Sequence, residues 1–392
     1  MINQLYTNFI KLTSMKKILL LAAVLVSSLV ANAKVWRINP NEAARADFLN
    51  VKAACDALKV NRGDTLYCEA GLYTVEDNNY ITKNDLTIIG PGFGFKNAYG
   101  STSAIAEANF PVRLTIDADS IHIIGIKAAE IQYRSWNGAN YYGVHKNLTI
   151  ERCYIGRFWS GDRYEKLSNV TLRNNYFNLA IYHNDSYAPI DFTSCNVLDN
   201  VNIENNIILG NGYGIWLNAG VNTSAMIAHN TIICTIQYTN QSLTAIRAQH
   251  TIIRDNIIIN TNSDSYLFKF NNECFGENQV YNNVLSLNAE NVPADILATY
   301  GEDNYFIGAT LANTFTCTKI GQSEETYYQL KEGSVAANKA NQGEDCGAFA
   351  GSWPFVINGR PQGLPYIYDV SAPNYPTDDQ LTITFKVKAN NQ

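Results

Sequence analysis

Apolar residues return along this chain in one figure: two aliphatic positions a residue apart, then asparagine, then another apolar pair. It reads Val170-Thr171-Leu172-Arg173-Asn174-Asn175-Tyr176-Phe177, then Val201-Asn202-Ile203-Glu204-Asn205-Asn206-Ile207-Ile208. It returns at Ile227 to Ile232, Ile253 to Ile258 and Val280 to Leu285. The marker residues Asn175, Asn206, Asn230, Asn256 and Asn283 lie 31, 24, 26 and 27 residues apart. Alternation with period two predicts strands, and self-similarity every few tens of residues predicts stacked coils of a β-solenoid. One coil cannot bury its own apolar face, so each is stable only against its neighbours.

A second strand is predicted in each central coil: Ile190-Asp191-Phe192, Ile215-Trp216-Leu217, Ile246-Arg247-Ala248 and Phe268-Lys269-Phe270. Their leading residues precede the next marker asparagine by 16, 15, 10 and 15 positions, so three of the four share a register and the Arg247 coil has a shorter return. Side chains alternate across a strand. With the flanking apolar residues inward, Asp191, Trp216, Arg247 and Lys269 point outward from successive coils.

Ahead of the coils, Val35 to Ile38 reads as a first strand. Ala43 to Leu58 carries Phe48, Val51, Ala54, Cys55 and Leu58 at the spacing of an amphipathic helix, placed to cover the open first coil. Gly63-Asp64-Thr65-Leu66-Tyr67-Cys68, Leu86-Thr87-Ile88-Ile89-Gly90 and Ile121-His122-Ile123-Ile124-Gly125-Ile126 follow. These segments resemble the opening of right-handed parallel β-helix proteins of the pectin-lyase-like superfamily. Tyr328 to Ala336 with Asp345-Cys346-Gly347-Ala348-Phe349 resembles the closing signature of many exported members, and Gly351 to Val387 resembles an extension of Bacteroidetes members. The resemblance implies an all-β, right-handed parallel β-helix with an N-terminal capping helix. It also implies that the marker asparagines stack at a turn and hydrogen-bond along the axis, where asparagine tolerates a left-handed conformation. The expected division is a signal peptide over 1–33, the capped β-helix over 34–346 and a C-terminal extension over 347–392, ending in an alternating strand that lies at a sheet edge or caps the stack.

The first 33 residues are expected to be an address. Met15-Lys16-Lys17 precedes an apolar run from Ile18 to Val30 and the small-residue end Ala31-Asn32-Ala33. Later apolar runs fall short of a membrane span. The protein is therefore expected to be exported to the periplasm, the cell surface or the medium, and to be a monomer. Residues 1–33 hold Lys11, Lys16 and Lys17 and no acid; the remainder sets 26 basic residues against 35 acidic ones, a net charge of −9. That balance argues against nucleic acid and anionic membranes as partners. Eight scattered cysteines show no C-x-x-C pair or zinc spacing, and Cys153 stands where other coils place the marker asparagine. They read as small buried side chains.

The motifs of two well-known activities of this fold are missing. The Asp pair, Gly-His-Gly and Arg-x-Lys of polygalacturonase-type hydrolases have no counterpart, since Asp378-Asp379 lies in the tail and His145 follows Val144. The Arg-x-Pro-x-x-Arg signature of calcium-dependent pectate lyases is not matched by Arg360-Pro361. Gly90-Pro91-Gly92-Phe93-Gly94 lacks the lysine of a phosphate loop and reads as a tight turn.

What remains is the outward face. Removing the C5 proton of a uronic acid in β-elimination requires a neutralised carboxylate and a base. Lys269 is the candidate base, Arg247 the carboxylate clamp, and Asp191 the group that holds calcium, if calcium is used, or orients a cation. Trp216 would stack on a sugar ring. Three further clusters read as loop insertions over a rigid scaffold: Tyr133, Arg134, Trp136, Tyr141 and Tyr142; Arg157, Trp159, Asp162, Arg163 and Tyr164; and Tyr182, His183, Asp185 and Tyr187. From these, Trp159, Arg163 and Tyr182 are expected to join Trp216 in binding a polysaccharide. Two alternatives stay open: a non-catalytic glycan-binding or surface-structural solenoid, and a plain solvent-facing sheet coated with charge.

Overall fold

The computed structural model describes residues 33–93, 107–134, 143–160, 164–179, 188–210, 213–217, 223–234, 245–261, 278–292, 294, 297–298, 301–317, 327–359, 365–371 and 384–389. The fold is all-β, with long parallel sheets and short helices. The aliphatic residues before each marker asparagine build the first sheet. Ten strands, from Val35–Ile38 to Gln279–Tyr281, add one after another in chain order, and each pair is parallel. Their register superposes the repeat, with Leu148, Val170, Val201, Ala225 and Thr251 on consecutive rungs.

The residues after each asparagine build one flank of a second sheet. Tyr176–Asn178, Ile207–Gly210, Thr231–Cys234, Ile257–Asn260, Val284–Leu285 and Tyr305–Phe306 pair in parallel there. The strand Tyr154–Trp159 bends across both flanks. Tyr154 and Ile155 pair with Tyr176 and Phe177, whereas Phe158 and Trp159 pair with Ile190 and Asp191. Between Tyr154 and Arg247 the chain thus adds strands to both flanks in turn. Phe110, Ile131, Phe158, Phe177, Phe192, Ile203, Ile227 and their neighbours fill the space between the sheets.

The turn between the sheets repeats closely, and it divides its work between two residues. Gly125, Arg152, Asn174, Asn205, His229, Asp255 and Asn282, each one position before the marker, adopt positive φ between 52° and 66°. The left-handed residue is therefore the one before the marker, not the marker expected from the sequence. Asparagine, aspartate and glycine bear that conformation at least cost. The marker itself is buried and makes the ladder. The N–H of Asn175 donates to Oδ1 of Asn206 (2.9 Å), that of Asn206 to Asn230 (3.0 Å), that of Asn230 to Asn256 (2.8 Å), and that of Asn256 to Asn283 (3.1 Å). Asn304, which lies outside the sequence figure, continues it beneath Asn283 (3.1 Å). Cys153 takes the marker's place at the other end, and its N–H donates to Asn175 (3.0 Å). The described cysteines are buried, and burial pushes the Cys153 and Cys234 thiols up to about 12.

The N-terminal helix is shorter than the apolar spacing predicts. It spans Val51–Asp56, is N-capped by Asn50, and buries Val51, Ala54 and Cys55, while Leu58 is almost fully exposed. Toward the other end, residues 309–317 and 327–355 lay Phe315, Tyr327, Tyr328, Ala336, Cys346, Ala348 and Phe355 over the outer side of the asparagine flank, against Tyr154, Tyr176, Ile207 and Ile257. Their last part runs back along the left-handed residues. Asp255 accepts from the N–H of Asn341 (3.0 Å), Asn205 donates to the carbonyls of Ala348 and Ala350 (2.9 and 2.6 Å), and Asn174 donates to that of Trp353 (2.9 Å). The tail strand Thr384–Ala389 pairs with Pro365–Ser371 in an antiparallel sheet of its own, not with either long sheet.

Candidate functional site

The other flank of the second sheet carries the outward row. Its inward residues, Ile81, Leu114, Ile131, Phe158, Ile190, Ile215 and Ile246, belong to the core. Its alternate residues pair rung by rung: Tyr80 with Thr115, Thr115 with Gln132, Gln132 with Trp159, Trp159 with Asp191, Asp191 with Trp216, and Trp216 with Arg247. Asp191, Trp216 and Arg247 therefore stack as the sequence suggests, and the shorter return of the Arg247 coil does not break the register. Neighbouring rungs of a sheet lie about 4.8 Å apart. Lys269, Tyr182 and Arg163 fall outside the described residues.

Trp159 joins this row from a strand rather than from a loop. Arg157 lies two positions before it in the same strand, and Tyr133 is a buried core residue at the end of Lys127–Tyr133. Phe158, a core residue paired with Ile190, fixes the next position, Trp159, on the other face of the strand beside Asp191, where a cluster of aromatic and charged residues had suggested an insertion.

Asp191 departs from the expected surface carboxylate. It faces away from the core yet is only 4% exposed. One oxygen meets Arg157 Nη2 at 2.5 Å; the other accepts from the N–H and hydroxyl of Thr193 (2.9 and 2.7 Å). Arg157 also lies 3.7 Å from Glu130, which pairs with Arg113, which in turn reaches Glu76 at 3.4 Å. Alternating charges thus cross the sheet beside the row. The cation that Asp191 orients is Arg157, and its oxygens are committed. Among the described residues, no three His, Cys, Asp or Glu side chains gather to hold a metal ion.

Arg247 is different. Its guanidinium lies 4.9 Å from the Trp216 ring, which packs on Tyr213 at 4.9 Å between centroids. Nε of Arg247 is buried and has no hydrogen-bond partner, and no carboxylate pairs with this cation among the described residues. A planar fork stacked on an aromatic face is suited to a carboxylate.

At the opposite end, Gln132 is 1% exposed and Thr115 fully buried. Both polar atoms of the Gln132 amide and the Thr115 hydroxyl are without a partner. Leaving a buried donor or acceptor unmet costs about 1–3 kcal/mol. Sequence reasoning passed over both residues because their coils precede the first marker asparagine. The signal is present nonetheless: each polar residue sits between two core residues, Leu114 and Ile116 or Ile131 and Tyr133.

No protein-family model, curated protein or solved structure matches this chain.

Proposed function

We propose that the chain is an exported right-handed parallel β-helix that binds an acidic polysaccharide along the row from Trp159 to Arg247. In this reading the helix Val51–Asp56 covers the first coil, and residues 1–33 direct export and are removed. The observation that carries it is Arg247: a cation with no carboxylate partner among the described residues, stacked on Trp216 and in register with Asp191. Trp159 and Trp216 are half-buried plates two rungs apart, and sugar rings present apolar faces to such plates. Arg247 supplies the counter-charge for a uronic carboxylate on a protein whose overall charge is negative.

Elimination is the second reading. The same guanidinium would neutralise the substrate carboxylate and make the adjacent C5 proton more acidic; Lys269 would remove that proton as the C4–C5 double bond forms and the C4–O bond breaks, and the leaving oxygen would take up a proton from water. Asp191 then anchors Arg157 and takes no proton.

Uronic-acid polysaccharides incubated with the chain from Lys34 onward, with and without calcium, test both readings by binding and by ultraviolet absorbance of the unsaturated product. Binding that Trp216→Ala weakens at least tenfold supports the row. Rising absorbance that Lys269→Ala abolishes adds elimination; a flat trace with retained binding leaves a binding solenoid. Absence of binding across the panel overturns the proposal.

A further inference from the structure

The unpartnered polar groups of Gln132 and Thr115 lie four and five rungs from Arg247 in the same row. At strand spacing, Gln132 and Arg247 are about 19 Å apart. The two ends differ in chemistry. Arg247 offers a positive charge and no acceptor, whereas Gln132 offers a neutral donor and acceptor and Thr115 a hydroxyl. Between them, Arg157 has its positive charge answered by Asp191 and Glu130.

We infer that Gln132 and Thr115 form a subsite for an uncharged sugar, so that this row selects a heteropolymer of neutral and acidic units over a homopolymer of uronic acid. The inference rests on the polysaccharide reading above and names its substrate class. Three points lead to it. A buried amide with no partner on either atom is rare in folded proteins, and ligand hydroxyls, which both donate and accept, satisfy such a group fully. A carboxylate placed there would be desolvated beside Arg157, which is already paired with Asp191. Trp159, the next rung, is half-buried and sets a ring face on the strand beside the amide.

The test pairs binding with stability, because the two have opposite expectations. Gln132→Leu keeps the size of the side chain and removes the polar atoms. If the amide is kept for a ligand, the free protein unfolds at the same or a higher temperature, since an apolar replacement of an unpaired buried group is neutral or stabilising. Thr115→Val should behave likewise. Calorimetric titration with hyaluronate and de-esterified gellan, which mix acidic and neutral units, is compared with polygalacturonate and alginate, which are wholly acidic. The heteropolymers should bind about tenfold more tightly, and Gln132→Leu should erase that difference. Equal binding of both classes, tighter binding of the homopolymers, or a preference that survives Gln132→Leu overturns the neutral subsite. A lowered unfolding temperature for Gln132→Leu overturns it as well, because the amide would then serve the fold. Failure of all four polymers to bind instead strikes the polysaccharide reading itself, and the neutral subsite falls with it.

Discussion

Two polar rows run along the stacked strands, and they are built on opposite rules. The row at the turn repeats one residue type: from Asn175 to Asn304 each marker is buried, and each hands a carbonyl oxygen to the backbone of the coil before it. The row from Thr115 to Arg247 changes residue type at every rung and leaves Gln132, Thr115 and Arg247 with polar atoms unmet. Repetition with complete pairing is what a structural element requires, because any unmet buried group weakens the fold. Variation with incomplete pairing costs stability, which is expected where a surface serves something besides the fold. The contrast separates the asparagines, which hold the coils together, from the row that is proposed to meet a ligand.

The sharpest way to break that contrast is at the centre of the ladder. Asn230→Ala removes the acceptor for Asn206 and the donors to Ile203 and Ala228. With several buried groups orphaned at about 1–3 kcal/mol each, chemical denaturation should show a loss of about 4 kcal/mol. A loss below about 1 kcal/mol would remove the ladder from its structural role.

Arg157→Leu should come next. It leaves Asp191 and Glu130 buried without their shared cation, and breaking a buried pair from one side costs about 3–5 kcal/mol. Restoring neutrality with Asp191→Asn in the same chain should recover part of that loss. No recovery would mean that the two residues are not coupled.

Asn205→Ala sharpens the comparison at the outer side of the turn. It deletes the donor to the carbonyls of Ala348 and Ala350 and should cost about 1–2 kcal/mol in unfolding free energy. Trp216→Ala should cost less than about 1 kcal/mol because the ring is half-buried on the outer face. Its effect is expected in polysaccharide affinity instead, and a large stability loss with unchanged binding would reassign the ring to packing.

The smallest effect is one of pH. Burial lowers the pKa of His229, with nearby Asp255 opposing and Arg254 assisting that shift. In the window between the folded and unfolded values the unfolded chain binds the extra proton, so stability falls as pH drops below about 6.5, the unperturbed value. His229→Asn tolerates the left-handed conformation at that turn and should flatten the contribution in thermal melts across this range. An unchanged slope would place the pH dependence elsewhere.

Much of the architecture was legible because it depends on repetition. Val201, Ile203, Ile207 and Ile208 alternate and recur in phase with the other coils, and that pattern admits parallel stacking with the asparagines at a shared turn. The pairing of Asp191, Trp216 and Arg247 could be inferred for the same reason, since a core residue on each side fixes which way each one faces. The helix was overread: the Phe48 to Leu58 spacing extends beyond the six helical residues, and Leu58 has nothing to pack against. The loop reading of Arg157 and Trp159 failed because clustered aromatics and charges resemble a surface insertion when only composition is weighed.

By itself, then, the sequence determined the period, the direction in which the side chains face and the positions that must be buried, because these follow from alternation and from the need of each coil for a neighbour. Only the tertiary structure decided that Asp191 is committed to Arg157, that Arg247 meets no carboxylate among the described residues, and that Gln132 is buried with its amide unmet. The Asp191–Arg157 pair joins residues 34 positions apart, and the partner of a buried charge is set by which strands adjoin, a fact that no single strand contains.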